Sequence, residues 1–397
     1  MEQLAVFGGT PVRGTPIYYG RQCIEQDDID AVAQALRSDL ITSGPRVEAL
    51  EGRLCELTGA KYAVVVANGT AALHLAALAA GFGEGDEVIV SSITFAASSN
   101  CVLYCGAKPV FADIDPETYN VDPEAVRRLV TPRTRGIVAV DFTGQSVEQD
   151  ALQEICREHG LVYIEDAAHA IGTRYKGTAI GSIADMTCFS FHPVKTVTGG
   201  EGGAITTNDE QLYRRLMRLR THGITRRQEE MAHPTDALWY NEQVELGFNY
   251  RMTDFQAALL LSQLGKLSKF SARRKEIVKR YDQAFSQMPE LIVQREIPES
   301  DTTRHLYVLR LNLEKLTCTR RQFFDALYAE NTCPQVHYLP VYWHSYYEKL
   351  GYGKGLCPNA EAYYESSMSI PLYYAMTDED VEDVIHAVQK VVEYYRR

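Results

Sequence analysis

Along the first two-thirds of the chain, short apolar runs alternate with segments of helical period. Residues 62–67 read as a strand and 69–81 as a helix. Residues 87–90 form the next strand and 96–104 the next helix, and strands at 110–112 and 136–140 flank a helical stretch at 123–130. A helix at 148–159 leads into the apolar run Leu161-Val162-Tyr163-Ile164, which ends at Asp166. Strands that are apolar along their whole length and alternate with helices predict a mostly parallel sheet covered on both faces. Two further strands, 187–191 and 203–207, precede a helix at 211–220. The stretch 225–242 is polar and has no period, and a loop of that length in a compact domain is usually functional or mobile. A long helix is expected over 254–285, followed by a strand at 305–311 and helices at 320–329 and 378–395. The pattern places a boundary within 264–274, inside the long helix. This gives a large domain of residues 1–268 and a smaller α/β domain of 269–397.

Composition narrows the classes. The 397 residues leave room for two or three domain-sized units, and the formal net charge of −12 speaks against a nucleic-acid partner. An anionic substrate must therefore meet a local basic pocket against the global field. The nine cysteines are odd in number and form no C-x-x-C pair, which suits a reducing, cytoplasmic setting. The first nine residues lack a basic region followed by an apolar run, so no signal peptide is expected, and no apolar run approaches the ~20 residues that span a bilayer.

Candidate chemistry concentrates between Glu165 and Gly203. Glu165-Asp166-Ala167-Ala168-His169-Ala170 follows a strand, and Ser190-Phe191-His192-Pro193-Val194-Lys195 precedes the glycine-rich run Gly199-Gly200-Glu201-Gly202-Gly203. Strand ends in α/β folds deliver residues to a crevice. A lysine amine can form a Schiff base with the aldehyde of pyridoxal phosphate (PLP), and a buried carboxylate can hold a proton on its pyridine nitrogen. Taken singly, Asp166 reads equally as a turn cap and Lys195 as a solvated charge. Their order and flanking patterns favour the cofactor. Asn68-Gly69-Thr70 sits at a strand-to-helix turn, where free N–H groups favour a phosphate: Gly69 lets the anion approach and Thr70 adds a hydroxyl. Phe95 can stack on the ring, worth about 0.5–1.5 kcal/mol beyond burial. Ser190 can donate to the phosphate, and Gly199 to Gly203 allow the backbone to bend. An ordinary helix cap, a core phenylalanine and a flexible turn are the competing readings. The chain carries no G-x-G-x-x-G, no G-K-[ST] and no G-x-S-x-G, so NAD-dependent, P-loop and serine-hydrolase chemistry are not indicated.

Together these motifs resemble the nucleotide-sugar aminotransferases of the DegT/DnrJ/StrS group, within the type I (aspartate aminotransferase) PLP fold. The resemblance runs from Leu40-Ile41-Thr42-Ser43-Gly44-Pro45 to the last helix. It implies a large domain on a mostly parallel seven-stranded sheet and a smaller C-terminal α/β domain. It also implies PLP as cofactor, passing through pyridoxamine phosphate, with Lys195, Asp166 and His169 catalytic. Gly247-Phe248-Asn249-Tyr250-Arg251-Met252-Thr253-Asp254 is similar to the segment that relatives insert into the neighbouring subunit's site. There Asn249 would reach the phosphate, and a homodimer with two shared sites follows. Spacing alone reads Asn249 and Arg251 as a loop-to-helix cap with a surface arginine. Many relatives carry glutamine where this chain has His169; a histidine there can still contact the cofactor's phenolic oxygen. Retention of Lys195 argues against the related dehydratases, in which a histidine replaces that lysine.

Val140-Asp141-Phe142-Thr143-Gly144-Gln145 and Gln335-Val336-His337-Tyr338-Leu339-Pro340 resemble the branch that makes pseudaminic acid precursors. The implied reaction is ping-pong transfer of an amino group from L-glutamate to C4 of a UDP-4-keto-6-deoxy-N-acetylhexosamine. Its product is UDP-4-amino-4,6-dideoxy-N-acetyl-β-L-altrosamine, and Lys195 serves as the base and then the acid. Arg226 and Arg227 are candidates for the pyrophosphate, against a solvated basic pair. His337 and Tyr338 are candidates for the sugar or nucleotide pocket, against simple packing. The alternatives are a GDP-perosamine or dTDP-amino-sugar substrate, and a non-catalytic regulatory protein on the same fold.

Overall fold

The alternation of the first two-thirds becomes one sheet. The computed structural model describes residues 2–397. The seven strands of its large sheet are β1 (Tyr62–Val66), β2 (Glu87–Ser91), β3 (Lys108–Ala112), β4 (Thr134–Val140), β5 (Val162–Asp166), β6 (Met186–Ser190) and β7 (Gly203–Thr207). Their spatial order is β1-β7-β6-β5-β4-β2-β3. Only β7 runs antiparallel to its neighbours, pairing Gly203 with both Val66 and Ser190. Val140, Asp166 and Cys188 lie abreast on the parallel strands. The carboxyl ends of β1, β4, β5 and β6 and the start of β7 therefore share one rim. The helix Gly69–Ala79 is almost entirely apolar and is buried along nearly its whole length. Such a helix has no polar face to offer water and belongs inside the fold. Its alanines let it lie close over β6 and β7.

The C-terminal lobe is a three-stranded antiparallel sheet of β8 (Leu291–Val293), β9 (Tyr307–Leu311) and β10 (Ser367–Ile370), in that order. Helices Leu267–Phe285, Arg320–Ala329 and Asp378–Tyr395 contribute to its core through Tyr281, Phe285, Phe323 and Val388. The long helix expected over 254–285 is two helices, Asp254–Leu264 and Leu267–Phe285. The break falls at Gly265 and Lys266, where the Lys266 ammonium turns aside to the carboxylates of Asp27 (2.5 Å) and Asp28 (2.8 Å). The stretch 225–242 is closed at its base by the ladder Ile224–Thr225 with Glu242–Gln243, and its tip exposes Leu238 and Trp239. Among the described residues, no helix is long and apolar enough to cross a membrane.

The N-terminal segment departs from the expected division at residue 268. Leu4 and Ile17 are buried in the C-terminal core, and Ile17–Tyr18 pairs in parallel with Thr332–Cys333. The fastening is Glu330, fully buried, which accepts from the N–H groups of Ala5 and Val12 (both 2.9 Å) and from Lys390 Nζ (3.0 Å). Glu330→Ala would leave the buried Lys390 ammonium without its counter-charge, with only the Thr10 carbonyl at 2.9 Å to accept from it, and two backbone donors unmatched. The expected loss is about 3–5 kcal/mol of stability, read as a lowered urea midpoint of the full-length protein.

Candidate active site

The rim of the large sheet encloses a cavity of about 420 Å³, lined among others by Gly69, Phe95, Asp166, His169, Lys195 and Tyr338. One wall is the start of helix Gly69–Ala79. Asn68 Oδ1 caps the Ala71 N–H (2.8 Å), and the N–H groups of Gly69 and Thr70 before it have no helical partner. Ser190, the last residue of β6, packs directly against this turn. A Cβ added at Gly69 would lie 2.8 Å from Ser190 Cβ and 3.0 Å from its Oγ. The serine hydroxyl and the helix N-terminus thus form one cradle of the kind that holds a phosphate. Gly69→Ala should force the two apart. Overpacking of this sort costs about 1–3 kcal/mol, so PLP binding should weaken roughly 10- to 100-fold in an absorbance titration.

Asp166 ends β5 and is buried. It accepts from Ser98 Oγ at 2.5 Å and from the Ala168 N–H at 3.1 Å. Burial pushes its carboxyl up; the two hydrogen bonds and the Lys195 ammonium pull it back. Lys195 follows a tight turn, its N–H donating to the His192 carbonyl (2.9 Å), while the Gly199 N–H returns to the Phe191 carbonyl (3.0 Å). Burial pulls its ammonium down to about 8, with Asp166 acting in the opposite direction. An amine at that value is partly neutral, and so nucleophilic and basic, near neutral pH.

The cavity also presents several aromatic rings. His169 Nε2 lies 3.4 Å from Tyr338 Oη, and its Nδ1 is buried with no partner among the described residues. Burial, together with the Lys195 charge, holds this imidazole well below its ordinary pKa, so it is neutral. A buried ring nitrogen of that kind wants a polar ligand. Phe95 lines the mouth with 62% of its surface open. Burial takes His337 to about 3, and its Nδ1 is 2.9 Å from Ser369 Oγ. An acid, an amine, an anion cradle, an unmatched nitrogen and an uncovered aromatic face in one cavity fit PLP.

The structure brings together Gly69, Thr70, Phe95, Asp166, His169, Ser190, Lys195, His337 and Tyr338 at this cavity. It does not bring Arg226, Arg227 or Asn249 there. Both arginines are exposed on the 225–242 excursion, and Arg227 lies 3.7 Å from Glu229. Asn249 is exposed and bridges to Thr221; the next residue, Tyr250, ties its segment to β1 by accepting from the Ala67 N–H at 2.8 Å. Three residues escaped the sequence reading. Ser98 stands in the first turn of the helix after Phe95 and braces Asp166. His305 packs its ring 4.4 Å from that of His169. Tyr19 enters the wall from the N-terminal segment, edge-on to His337 at 4.9 Å. Only Ser98 had a local signal, its i,i+4 spacing from Thr94, whose hydroxyl it meets at 2.6 Å.

Comparison with known proteins matches residues 22–389 to the DegT/DnrJ/EryC1/StrS aminotransferase family. The spore coat polysaccharide biosynthesis protein SpsC of Bacillus subtilis is 43% identical over 94% of this chain and 96% of its own. A UDP-4-amino-4,6-dideoxy-N-acetyl-beta-L-altrosamine transaminase of Campylobacter jejuni is 37% identical over 96% of this chain and 99% of its own. Among solved structures, Helicobacter pylori PseC, an aminotransferase involved in the biosynthesis of pseudoaminic acid, superposes with a TM-score of 0.89. It is 31% identical and covers 96% of this chain and 100% of its own. Spr1654 of Streptococcus pneumoniae, assigned as a sugar aminotransferase and solved in its PLP form, gives the same TM-score and identity over 96% of this chain and 99% of its own.

Proposed function

The chain belongs to the DegT/DnrJ/EryC1/StrS family of PLP-dependent sugar aminotransferases, and we propose that it moves the amino group of L-glutamate to C4 of a UDP-4-keto-6-deoxy-N-acetylhexosamine. The product is UDP-4-amino-4,6-dideoxy-N-acetyl-β-L-altrosamine, a precursor of pseudaminic acid. The observation that carries the reading is the convergence of Lys195, Asp166 and the Gly69–Ser190 cradle on one cavity.

PLP, when bound, supplies an aldehyde that takes up the amino group and a ring that accepts the electron pair. Lys195 Nζ removes the α-proton of the glutamate and later returns a proton at C4 of the sugar. Asp166, held by Ser98, would keep a proton on the ring nitrogen. Gly69, Thr70 and Ser190 would hold the phosphate, Phe95 would pack against the ring, and His169 would contact its phenolic oxygen. His337 and Tyr338 form the wall that the sugar touches.

Asn249, Arg226 and Arg227 lie outside the cavity of their own chain and act, in this reading, at the site of a second copy. Leu238, Trp239 and Leu246 are 96%, 83% and 80% exposed beside them, an apolar surface that a homodimer would cover. The nine cysteines are all free, in keeping with a cytoplasmic enzyme. The second reading is another nucleotide 4-keto sugar, of the GDP-perosamine or dTDP-amino-sugar type; SpsC, named for spore coat polysaccharide biosynthesis, is more similar to this chain than the C. jejuni enzyme is. Intact cofactor chemistry in the cavity argues against a non-catalytic protein. A panel of UDP-, GDP- and dTDP-4-keto sugars with glutamate decides. Preferred amination of UDP-2-acetamido-2,6-dideoxy-β-L-arabino-hexos-4-ulose supports the first reading, and preference for a GDP or dTDP sugar replaces it with the second.

A further inference from the structure

Behind Asp166 lies a second pair of buried carboxyls that the reaction does not use. Strand alternation turns Glu165 to the face opposite Asp166, where it meets the carboxyl of Asp141, just beyond the end of β4. Both side chains are fully buried. Asp141 Oδ1 accepts from the Val147 N–H at 2.9 Å, while Oδ2 finds no donor among the described residues. Glu165 is the opposite case. Its Oε2 accepts from Thr187 Oγ1 at 2.7 Å, and its Oε1 accepts from Gln149 Nε2. The Gln149 amide is fixed in that orientation because its Oε1 takes the Tyr163 hydroxyl at 2.8 Å. The titratable groups whose charge reaches the pair are Tyr163 on the same face of β5 and, across the sheet, Asp166 on β5 and Cys188 on β6, all of them acids. Among the described residues, no lysine, arginine or histidine pairs with either carboxyl.

Two carboxylates in contact in a dry site cannot both be ionised. Glu165 already accepts at both oxygens, and Asp141 Oδ2 has nothing to accept. We propose that Asp141 carries the pair's single proton on Oδ2 and donates it to an ionised Glu165, so that a neutral acid pins the strand end that presents Asp166. The backbone completes the tie, with the Asp141 N–H donating to the Asp166 carbonyl at 3.1 Å. Burial pushes the Asp141 carboxyl far above its usual range, in keeping with this assignment. Asp141 is a positioning residue, and the inference stands whichever sugar is aminated.

The folded chain keeps a proton that the unfolded chain releases above a pKa of about 3.9. Stability from this group is therefore complete below that value and falls as pH rises, up to about tenfold in the folding equilibrium per pH unit. Asp141→Asn keeps an oxygen for Val147 and an N–H for Glu165, with no proton to lose. In the full-length protein as purified, its urea midpoint relative to wild type should rise steadily from pH 5 to pH 8. Asp141→Ala should be destabilised throughout, and Glu165→Gln should lose stability at every pH because its amide nitrogen faces donors. Wild type at pH 7 should show the infrared carbonyl band of a protonated carboxyl, which Asp141→Asn lacks. A pH-dependent gain in Glu165→Gln instead, equal losses in Asp141→Asn and Asp141→Ala at all pH values, or no such band in wild type would overturn the assignment.

Discussion

Lys195→Ala should lower turnover by about 10⁴-fold or more, the upper range for removal of a positioned acid–base group, and abolish the visible band of lysine-bound cofactor. The cavity offers no substitute. His169 and His337 are held neutral by burial far below their ordinary pKa, so neither cycles a proton near pH 7. Alanine leaves the turn itself intact, because the turn is closed by backbone bonds from Lys195 to His192 and from Gly199 to Phe191. The variant should fold and still bind PLP through the Gly69–Ser190 cradle. In wild type stripped of cofactor, the amine reacts only when neutral. With its ammonium at about 8, capture of added PLP should speed up with pH to a midpoint near that value, followed by the growth of colour. Full turnover in the alanine variant would remove Lys195 from the chemistry.

What the sequence disclosed was local, and what it hid was long-range. Each large-domain strand has an apolar run that only a doubly covered sheet can bury. Asp166, Lys195 and Gly69 each carry a signal within a few residues: an apolar strand before the acid, glycines after the lysine, a strand-to-helix turn at Gly69. The site residues that escaped lack such flanks. Tyr19 reaches the cavity because Glu330 and Lys390, more than 300 residues away, anchor the segment that carries it. His305 sits beside His169 because its loop crosses back to Thr143, whose carbonyl accepts the His305 N–H at 2.8 Å. The break at Gly265 was masked by a continuous helical period; what ends the helix is the demand of Lys266 for carboxylates contributed by residues 25–28. Arg226, Arg227 and Asn249 illustrate another limit. The family resemblance, not their spacing, suggested that Asn249 reaches the cofactor, and the substrate it implied made the arginines candidates; one chain's geometry leaves all three on its surface.

Asp166→Ala should reduce turnover by about 10³-fold, the scale seen when an electrostatic group aimed at developing charge is removed, and yet keep the fold. The unmatched groups it creates are the Ser98 hydroxyl and the Ala168 N–H. Leaving a buried donor unsatisfied costs about 1–3 kcal/mol, within the roughly 5–15 kcal/mol that typically holds a domain together. Ser98 can turn to Thr94, already 2.6 Å away. The substitution has a second consequence of opposite sign. Asp166 holds the Lys195 ammonium up against burial; without it the amine titrates below 8, and the midpoint for PLP capture moves to lower pH. At pH 7 the variant should therefore take up PLP faster than wild type while turning over far more slowly. A merely structural aspartate would slow both. Wild-type turnover in Asp166→Ala would rule out the ring-proton role, and an unmoved capture midpoint would mean that the carboxylate and the amine do not sense one another across the cavity.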